Sequence, residues 1–560
     1  MASAGSPSVQ DRPGGRRGLV RERRPTTEGS WLVSENFATV WEAIADAVGD
    51  RTAVVQGERR LSWSELESRS ARLATGLAGL GVAHGSLVGI DLWNSIESLE
   101  TMFAAFKLRA APFNINYRYR EAELVHLLED SKAGTIVVDA SLTERVQGAA
   151  KRVDQPVALV EVGDGDREGV EPYEALIASS ERAERVPRRG DDELIVYTGG
   201  TTGQPKGVVW AHESLMRPQR RGADGGLAEL ARSVRESQDR PIALVVPPLM
   251  HIAGLLAALG TLSGGGCVVL CSSRSFNPDE ILTLIGQHRV RSFTMIGDAF
   301  ARPILSALER AEADGRPYDL ASVETIGNTG VIWSAPLKRA ILRYGSFVIR
   351  DGLGATEGGG FAAVESRTED EVGTARFRLG PSARVIGPDG KDVVPGSGQV
   401  GYLAATGMLP KGYLNDPERT ARTWPTIDGV RYSMPGDMAT VDADGTVVLL
   451  GRGSEVVNTG GEKVFVEEVE QAILTHPSVQ DVLVVGTPDE RWGQRVTAVV
   501  SVKPDRSLDE AELAEHVGAQ LADYKRPRKV VVVGEVPRRP TGKADRAAAK
   551  QLAMEAIEAG

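Results

Sequence analysis

The fold is decided by Tyr197-Thr198-Gly199-Gly200-Thr201-Thr202-Gly203-Gln204-Pro205-Lys206-Gly207. Apolar runs rich in β-branched residues flank this segment, at 193–196 and 208–210, and such runs are typical of buried strands. Its glycines allow close approach of backbone N–H groups to a ligand, and its threonine hydroxyls and the Lys206 ammonium add further donors. These groups suit phosphate oxygens. We therefore predict a phosphate-binding loop between two strands rather than a Gly/Thr linker.

The predicted loop differs from a Walker A loop, which needs Gly-x-x-x-x-Gly-Lys-Ser/Thr at the start of a helix. Here Lys206 follows Pro205, and an apolar run comes next. The loop instead resembles the signature phosphate loop of the adenylate-forming superfamily, which includes acyl-CoA synthetases, peptide-synthetase adenylation domains and firefly luciferase. The string from Tyr197 to Trp210 is most similar to actinobacterial fatty-acyl-CoA and steroid-carboxylate-CoA ligases. Several further motifs follow in family order.

This resemblance implies that the loop holds the phosphates of ATP. The loop residues it assigns to ATP are Thr198, Gly199, Gly200, Thr201, Thr202 and Lys206. Thr198 and Lys206 are also expected among the catalytic groups, because they would contact the β- and γ-phosphates.

Length and charge restrict the class of protein. A chain of 560 residues is too long for one hydrophobic core, so two or more domains are expected. The formal net charge of −11 argues against nucleic acid as the main partner. No run of 18 apolar residues occurs, so we expect no membrane span.

The first thirty residues are rich in Gly, Pro, Ser and Arg, and their arginines precede no apolar segment of the kind that a secretory signal needs. We predict a disordered tail over 1–30, with a start codon assigned too far upstream as an alternative. The two cysteines, Cys267 and Cys271, are predicted to be reduced thiols of the core. A cytoplasmic protein is therefore expected.

Strand and helix patterns alternate over the first 140 residues, which predicts βαβ units with parallel sheets covered on both faces. The fold class is α/β. The resemblance implies a large adenylation domain over 31–452, made of stacked αβ sheets and a β-barrel-like subdomain. It also implies a small mobile α+β domain over 453–560, with Ser454 at the hinge. The segment 215–240 is interpreted as a surface insertion without a role.

A second strong motif is Asp351-Gly352-Leu353-Gly354-Ala355-Thr356-Glu357-Gly358. By resemblance, Thr356 faces the α-phosphate and Glu357 holds Mg²⁺, a hard cation that favours a few carboxylates together with phosphates. The resemblance extends nucleotide contacts to Asp351, Gly352, Leu353 and Gly354. Many family members have Tyr at the Leu353 position to stack on adenine, whereas leucine can only pack against the base.

The acid-binding residues are also assigned by resemblance. His251 follows two prolines and starts an apolar helix, where the family places a gate to the acyl pocket; a histidine packed in the core is the alternative. Two strand-to-loop junctions would border the carboxylate and the adenine, and their small residues would leave room for a wide ligand. The residues at these junctions are Asp298, Ala299, Asn328, Thr329 and Gly330.

The remaining motifs lie near the predicted domain boundary. Asp437 would hold both ribose hydroxyls, and Arg452 would reach the ribose or a phosphate. Gly460 and Gly461 would line the pantetheine tunnel, because glycine permits close backbone approach. Lys543, in Pro540-Thr541-Gly542-Lys543, matches the catalytic lysine of the family.

The chemistry that the resemblance implies is activation of a carboxylic acid by ATP and Mg²⁺, followed by transfer of the acyl group to coenzyme A. The expected acid is a bulky lipid, steroid or terpenoid acid. Alternatives left open are a carrier-protein acceptor, an enzyme that uses only a preformed acyl-adenylate, a luciferase-like oxygenase and a non-enzymatic nucleotide sensor. The oligomeric state is also left open, with a homodimer as one alternative.

Overall fold

The computed structural model describes residues 35–165, 167–199, 205–216, 226–331, 333–452, 456–459, 462–489, 493–521, 523–539 and 542–558. The predicted tail over 1–30 and the predicted hinge residue Ser454 lie outside these ranges.

Helices of the described residues are short to medium in length and lie mostly in the first 350 residues. They are α1 (Phe37–Val48), α2 (Trp63–Gly79), α3 (Ile96–Lys107), α4 (Glu121–Ser131), α5 (Thr143–Ala150), α6 (Tyr173–Ser179), α7 (His212–Met216), α8 (Gly226–Glu236), α9 (Ile252–Ser263), α10 (Pro278–His288), α11 (Gly297–Ala313), α12 (Ala335–Leu342), α13 (Pro417–Thr423), α14 (Val466–Leu474), α15 (Glu510–Gly518) and α16 (Arg546–Glu558). Two short 3₁₀ turns, Glu369–Glu371 and Asp523–Lys525, complete the helical elements.

The strands alternate with these helices as far as β14, and from there to β23 strands predominate. They are β1 (Thr52–Gln56), β2 (Arg59–Ser62), β3 (Leu87–Asp91), β4 (Ala111–Asn114), β5 (Thr135–Asp139), β6 (Ala158–Val162), β7 (Val170–Pro172), β8 (Glu193–Gly199), β9 (Pro205–Ala211), β10 (Ile242–Leu244), β11 (Cys267–Leu270), β12 (Ser292–Met295), β13 (Thr325–Thr329), β14 (Val348–Ala355), β15 (Gly358–Ser366), β16 (Arg376–Leu379), β17 (Ala383–Ile386), β18 (Gly401–Ala405), β19 (Gly412–Tyr413), β20 (Thr426–Ile427), β21 (Val430–Arg431), β22 (Asp437–Val441), β23 (Val447–Arg452), β24 (Val456–Thr459), β25 (Glu462–Phe465), β26 (Val479–Asp489), β27 (Gly493–Val502) and β28 (Lys529–Val533).

An eight-stranded sheet carries the predicted phosphate loop. Its order is β19-β9-β8-β4-β3-β5-β6-β7, and the strands from β8 to β7 run parallel. Strands β8 and β9 form an antiparallel hairpin, with Thr198 opposite Lys206 and Gly199 opposite Pro205. The two strands predicted around the loop are therefore present. The loop lies at the carboxyl end of a strand in a parallel sheet, the edge at which such sheets bind ligands.

A thirteen-stranded sheet supplies the other half of the large region. Strands β1, β10, β11, β12, β13 and β14 run parallel, whereas β15, β16, β23, β22, β18 and β17 continue the sheet in antiparallel fashion. The antiparallel part curls around its own apolar core, which includes Phe361, Phe377 and Leu403. The predicted α/β class is confirmed.

The main core contains α3, in which all twelve residues are buried. Trp41 packs edge-on against Phe103 and Phe106 at ring-centroid distances of 5.2 and 6.0 Å. The Lys107 ammonium at the end of α3 donates to Glu42 and Glu67 at 2.7 and 2.8 Å. A buried ammonium needs such partners, because an unpaired charge would be too costly inside the protein.

A separate five-stranded sheet follows Arg452. Strands β25, β24, β27 and β26 are antiparallel neighbours, and β28 pairs in parallel with β27. Strands before and after residues 453–455 belong to different sheets, and the domain boundary between 452 and 453 stays a prediction. Strands β24 and β25 form an antiparallel hairpin, and Gly460 and Gly461, which come between them in the chain, lie outside the described residues.

Two local predictions need correction. The stretch Leu61-Ser62-Trp63-Ser64-Glu65-Leu66 predicts a helix with Ser64 as its N-cap. In the structure the N-cap of α2 is Ser62, because Ser62 and Glu65 form a reciprocal capping box. The second concerns the cysteines: Cys267 is buried, but Cys271 follows β11 and is only half-buried. Burial raises the pKa of both thiols, to about 11 and about 12, so neither is a reactive thiolate at neutral pH.

The segment interpreted as a surface insertion is anchored to the first helix. Helix α8 packs against α1, and the Arg51 guanidinium donates to the carbonyl oxygens of Val234 and Arg235 at 2.7 and 2.8 Å. Residues 217–225 lie outside the described residues. Within the described part of the chain, every helix is too short or too polar to cross a bilayer.

His212 gives the protein a predicted sensitivity to acid. Its imidazole is fully buried between Phe37 and Phe106, and burial lowers its pKa to about 3. The unfolded chain binds this proton near pH 6.5, so the free energy of unfolding falls as pH drops below that value. Between pH 7.5 and 5.0 we expect this histidine to account for a loss of about 2 kcal/mol.

Urea unfolding of the wild type and His212→Gln at both pH values checks this. The glutamine keeps an acceptor for the Phe37 N–H, which now donates to Nδ1 at 3.4 Å. The variant should lose about 2 kcal/mol less than the wild type on acidification. An identical loss in both proteins would contradict the prediction.

Candidate active site

Side chains from distant segments fix the start of the phosphate loop. The Asn114 amide accepts from the Tyr197 backbone N–H at 2.8 Å and donates to the Tyr197 carbonyl at 3.1 Å. The Tyr197 hydroxyl donates to Asp130 at 2.7 Å. Thr198 and Lys206 therefore lie opposite each other near the end of a hairpin that these hydrogen bonds hold in place. Gly200, Thr201 and Thr202 lie outside the described residues. Asn114 is not identified from the sequence, because no recognisable motif lies next to it in the chain.

The Thr356–Glu357 turn joins β14 to β15 and is held by its backbone. The Trp210 indole N–H donates to the Thr356 carbonyl at 3.2 Å. The Glu357 carbonyl accepts from the Trp424 indole N–H at 2.7 Å and from the Ser433 hydroxyl at 2.8 Å. Three donors from distant segments thus position the turn, and Trp210 belongs to β9 of the phosphate-loop hairpin. This contact connects the two strongest motifs directly.

The oxygens of the Glu357 carboxylate are suitable ligands for Mg²⁺. Its Oε1 accepts from the Tyr413 hydroxyl at 3.0 Å, and no described residue donates to Oε2. The described residues contain no cluster of three or more His, Cys, Asp or Glu side chains that could hold a metal. One carboxylate with substrate phosphates is a usual arrangement for Mg²⁺, which retains several waters. The chemistry of Glu357 is compatible with holding this ion, and its assignment as the ligand stays a prediction.

We predict that Tyr413 positions Glu357 through its hydrogen bond to the carboxylate. Its ring packs against Trp424 at 4.8 Å between centroids, so the phenol is held where it can donate to the carboxylate. Tyr413→Phe should raise the Mg²⁺ concentration for half-maximal adenylate formation by about 10-fold, because partners that orient a metal ligand typically matter to this extent. Tyr402→Phe, an exposed tyrosine of β18, is the matched control. An unchanged Mg²⁺ dependence in Tyr413→Phe would contradict this role.

Asp351 and Asn328 point into the protein. Asp351 accepts from the Lys338 ammonium at 2.5 Å and from the Asn328 amide at 2.7 Å. Asn328 in turn accepts from the Gly297 N–H at 2.7 Å and donates to the Val331 carbonyl at 3.0 Å. All three side chains are buried. Their polar atoms tie β13, β14 and α12 together, which leaves only their backbone for the predicted ligand contacts.

The strand ends beside this cluster leave open space. Gly330 has φ +81° and no heavy atom within 4 Å of where a Cβ would lie. Thr329 ends β13 and is half-buried, and the nearest atoms to a Cβ on Gly352 and Gly354 are 3.6 Å away. Leu353 packs against the core of the antiparallel part of the sheet. The predicted room for a wide ligand is therefore compatible with these backbone positions.

Asp437 and Arg452 are neighbours on adjacent strands. They pair in register at the ends of β22 and β23, and Asp437 is half-buried. Gly436, directly before Asp437, has φ +106°, a backbone conformation that only glycine adopts without strain. Two residues separated in the chain thus lie side by side, as contacts to one ribose would require.

His251 lies at the start of α9, with a neutral imidazole. Burial and the positive charges of Lys543 and Arg118 lower its pKa to about 4. Its Nε2 has no hydrogen-bond partner within the described chain. A neutral imidazole at neutral pH suits contact with an uncharged part of a ligand, as the predicted acyl gate would need.

Asp298 and Ala299 lie in the first turn of α11 and have different surroundings. The Asp298 carboxylate accepts from the Ser334 N–H at 2.7 Å, and burial raises the pKa of this carboxyl. Ala299 faces the lysine loop instead: a Cβ on Gly542 would lie 3.0 Å from the Ala299 Cβ. Asp298 therefore accepts a hydrogen bond at the start of α12, where Ser334 is the N-cap residue. Ala299 lies where the large region contacts the C-terminal region.

Hydrogen bonds between residues of the C-terminal region hold the loop that carries Lys543. Arg538 donates to both carboxylate oxygens of Asp481 at 2.6 Å and to the Gly542 carbonyl at 3.3 Å. The Gly542 N–H donates to the Arg539 carbonyl at 2.8 Å, and Gly542 has φ +78°. Lys543 itself is exposed. A tight turn therefore holds the lysine beside α11, close enough for its charge to affect His251.

Family models of known proteins match most of the chain. The family model for AMP-binding enzymes matches residues 41–414, and the model for the AMP-binding enzyme C-terminal domain matches residues 468–543. The chain is 38% identical to a medium/long-chain-fatty-acid–CoA/3-oxocholest-4-en-26-oate–CoA ligase of Mycolicibacterium smegmatis, over 93% of this chain and 97% of that one. It is 37% identical to a 3-oxocholest-4-en-26-oate–CoA ligase of Rhodococcus rhodochrous, over 91% and 94%.

The solved structures add evidence on the fold. The crystal structure of an anthranilate–CoA ligase in complex with anthranoyl-AMP superposes with a TM-score of 0.80, covering 93% of this chain and 98% of that one at 22% identity. The resemblance drawn from the sequence motifs is confirmed. On the family matches and the identity over nearly its whole length, the chain belongs to the adenylate-forming AMP-binding enzymes.

Proposed function

We propose that this protein is an ATP-dependent, AMP-forming carboxylate–CoA ligase that activates a lipid or steroid acid. The observation that carries the proposal is the position of Lys543. Its loop packs on Ala299, and its positive charge helps to lower the pKa of His251. A lysine from the end of the chain thus lies where the family's acid-binding residues are expected. The relatives named for fatty-acid and steroid-carboxylate ligation support the class of acid.

In the first half-reaction, a carboxylate oxygen of the acid attacks the α-phosphorus of ATP, and the bond to pyrophosphate breaks. Lys543 donates to the carboxylate and α-phosphate oxygens and offsets the negative charge that develops there. Thr198 and Lys206 hold the β- and γ-phosphates. Glu357, together with phosphate oxygens, would hold Mg²⁺, which when bound would supply charge neutralisation on the triphosphate. Asp437 and Arg452 hold the ribose, so that catalysis rests on positioning and charge neutralisation.

In the second half-reaction, the thiolate of coenzyme A attacks the acyl carbonyl, and AMP leaves. Gly460 and Gly461 line the path of the pantetheine arm in this step, and Lys543 is withdrawn by rotation of the C-terminal region. A cytoplasmic location goes with the supply of ATP and coenzyme A, and a homodimer remains a prediction.

The test measures the two half-reactions separately over a panel of acids from octanoate to steroid and diterpenoid acids. ATP–pyrophosphate exchange reports adenylate formation, and thioester formation is followed with free coenzyme A and with a phosphopantetheinyl carrier protein. We expect exchange and acyl-CoA formation with lipid or steroid acids. Exchange without any acyl-CoA would favour a carrier-protein acceptor. Thioester formation only from a supplied acyl-adenylate would show that the first half-reaction is absent.

A further inference from the structure

A cleft with a volume of about 1060 Å³ lies between the two large sheets, apart from the phosphate-loop hairpin. Its walls come from the carboxyl ends of strands in both sheets, where β1, β3, β4, β5 and β11 finish. Ligand sites in parallel sheets lie at these ends. None of the predicted site residues lines this cleft.

Three residues that line the cleft adjoin or act on residues assigned to the acid site. Pro248 and Phe300 line it, and each is close in the chain to an acid-site residue: the Pro248 carbonyl accepts from the His251 N–H at 3.0 Å, and Phe300 follows Ala299. Arg118 also lines the cleft, and its charge contributes to the lowered pKa of His251. A ligand whose carboxylate lies near Lys543 can therefore extend its remote end into this space.

Two aromatic pairs line the cleft, one from each large sheet. Trp93 and Tyr117, which follow β3 and β4, have ring centroids 4.1 Å apart. Phe276 and Phe300, from the other sheet's connections, have centroids 4.4 Å apart. Aromatic faces of this kind offer large, rigid apolar surfaces that suit a flat hydrocarbon body.

Part of the cleft lining is polar and is centred on Arg274. Its guanidinium donates to both oxygens of Asp139 at 3.1 and 3.2 Å and to the Ser141 hydroxyl at 3.1 Å, and lies 5.3 Å from the Trp93 ring centroid. These hydrogen bonds use only Nη1 and Nη2, and a guanidinium carries five N–H donors. The Trp93 indole N–H is shielded from solvent and has no acceptor in the described part of the chain. The Trp93 indole N–H and the Arg274 Nε–H therefore have no acceptor among the described residues at this point of the lining.

The charges around the cleft restrict what those donors can bind. Three arginines line it, against five acidic side chains: Arg59, Arg118 and Arg274, and Glu58, Glu97, Asp139, Asp164 and Glu174. This balance disfavours a second carboxylate or a phosphate. A neutral oxygen, which accepts a hydrogen bond without bringing charge, is compatible with it.

Building on the proposed ligase function, we propose that this cleft binds the part of the acid remote from its carboxylate, and that Arg274 recognises an uncharged oxygen at that remote end. The preferred substrates are then fused-ring or similarly broad acids with a keto or hydroxyl group far from the carboxylate. Arg274 is a specificity-determining residue in this scheme and takes no part in the chemistry.

The first test uses the wild-type enzyme and two acids that differ in one oxygen, 3-oxocholest-4-en-26-oic acid and cholest-4-en-26-oic acid, with octanoate as a short reference. A hydrogen bond to a charged donor should give the keto acid a kcat/KM about 10- to 100-fold higher in ATP–pyrophosphate exchange. Equal values for the two steroid acids, or activation of octanoate alone, would overturn the inference. Absence of exchange with every acid would instead overturn the ligase function itself.

The second test assigns the discrimination to Arg274. Arg274→Met keeps the length of the side chain but removes its donors, so the ratio of kcat/KM between keto and deoxy acid should fall to near one. Arg316→Met, an exposed arginine outside the cleft, should keep the wild-type ratio. Equal losses on both acids in Arg274→Met, with the ratio unchanged, would show a structural role. Thermal midpoints of both variants establish that they are folded.

Discussion

Lys543→Ala is expected to lower the rate of acyl-adenylate formation by about 10²–10³, or roughly 3–4 kcal/mol in activation free energy. A tight turn and the Arg538–Asp481 pair hold the backbone of the lysine loop beside α11 before the reaction begins. A preorganised charge of this kind acts where negative charge gathers on the α-phosphate. The measurement is ATP–pyrophosphate exchange with a saturating acid.

The same variant should make thioester from a supplied acyl-adenylate and coenzyme A at nearly the wild-type rate. In the second half-reaction the acyl carbonyl reacts with a thiolate, and the lysine is expected to have moved away with its region. Lys550→Ala, an exposed lysine of α16, is the matched control and should behave as the wild type in both assays. If Lys543→Ala loses both half-reactions equally, the lysine is structural or acts in both.

Glu357→Gln is expected to reduce adenylate formation by about 100-fold or more, because the neutral amide is a much weaker ligand for a hard cation than the carboxylate. The turn itself should persist, since Trp424 and Ser433 hold it through the Glu357 carbonyl and not through the side chain. The variant should therefore fold normally but bind Mg²⁺–ATP poorly. Exchange assays over a series of Mg²⁺ concentrations measure this.

Glu365→Gln, an exposed residue of the same strand β15, is the control for the loss of one carboxylate. It should retain wild-type exchange at every Mg²⁺ concentration. Full activity of Glu357→Gln when Mg²⁺ is limiting would remove Glu357 from the metal site.

Predictions from the sequence succeeded for secondary structure that is set by residues close to one another in the chain. The β8–β9 hairpin follows from two β-branched runs joined by a Gly/Thr segment, and the parallel strands follow from alternating strand and helix patterns. Such patterns report local backbone preference and the face that is buried. The error at the start of α2 has the same origin: Ser62 and Ser64 are both good caps, and only the reciprocal bond with Glu65 decides between them.

The sequence by itself determined the family, the α/β class and the order of the motifs, because glycine, threonine and lysine at fixed spacing define the loops locally. The tertiary structure alone decided which side chains meet. It joined Trp210 to Thr356, and Asn114 to Tyr197. It also turned Asp351 and Asn328 inward toward Lys338. The cleft beside Arg274 arises in the same way, because it lies between two sheets. Contacts of this kind join residues far apart in the chain, and their partners are set by how whole elements pack.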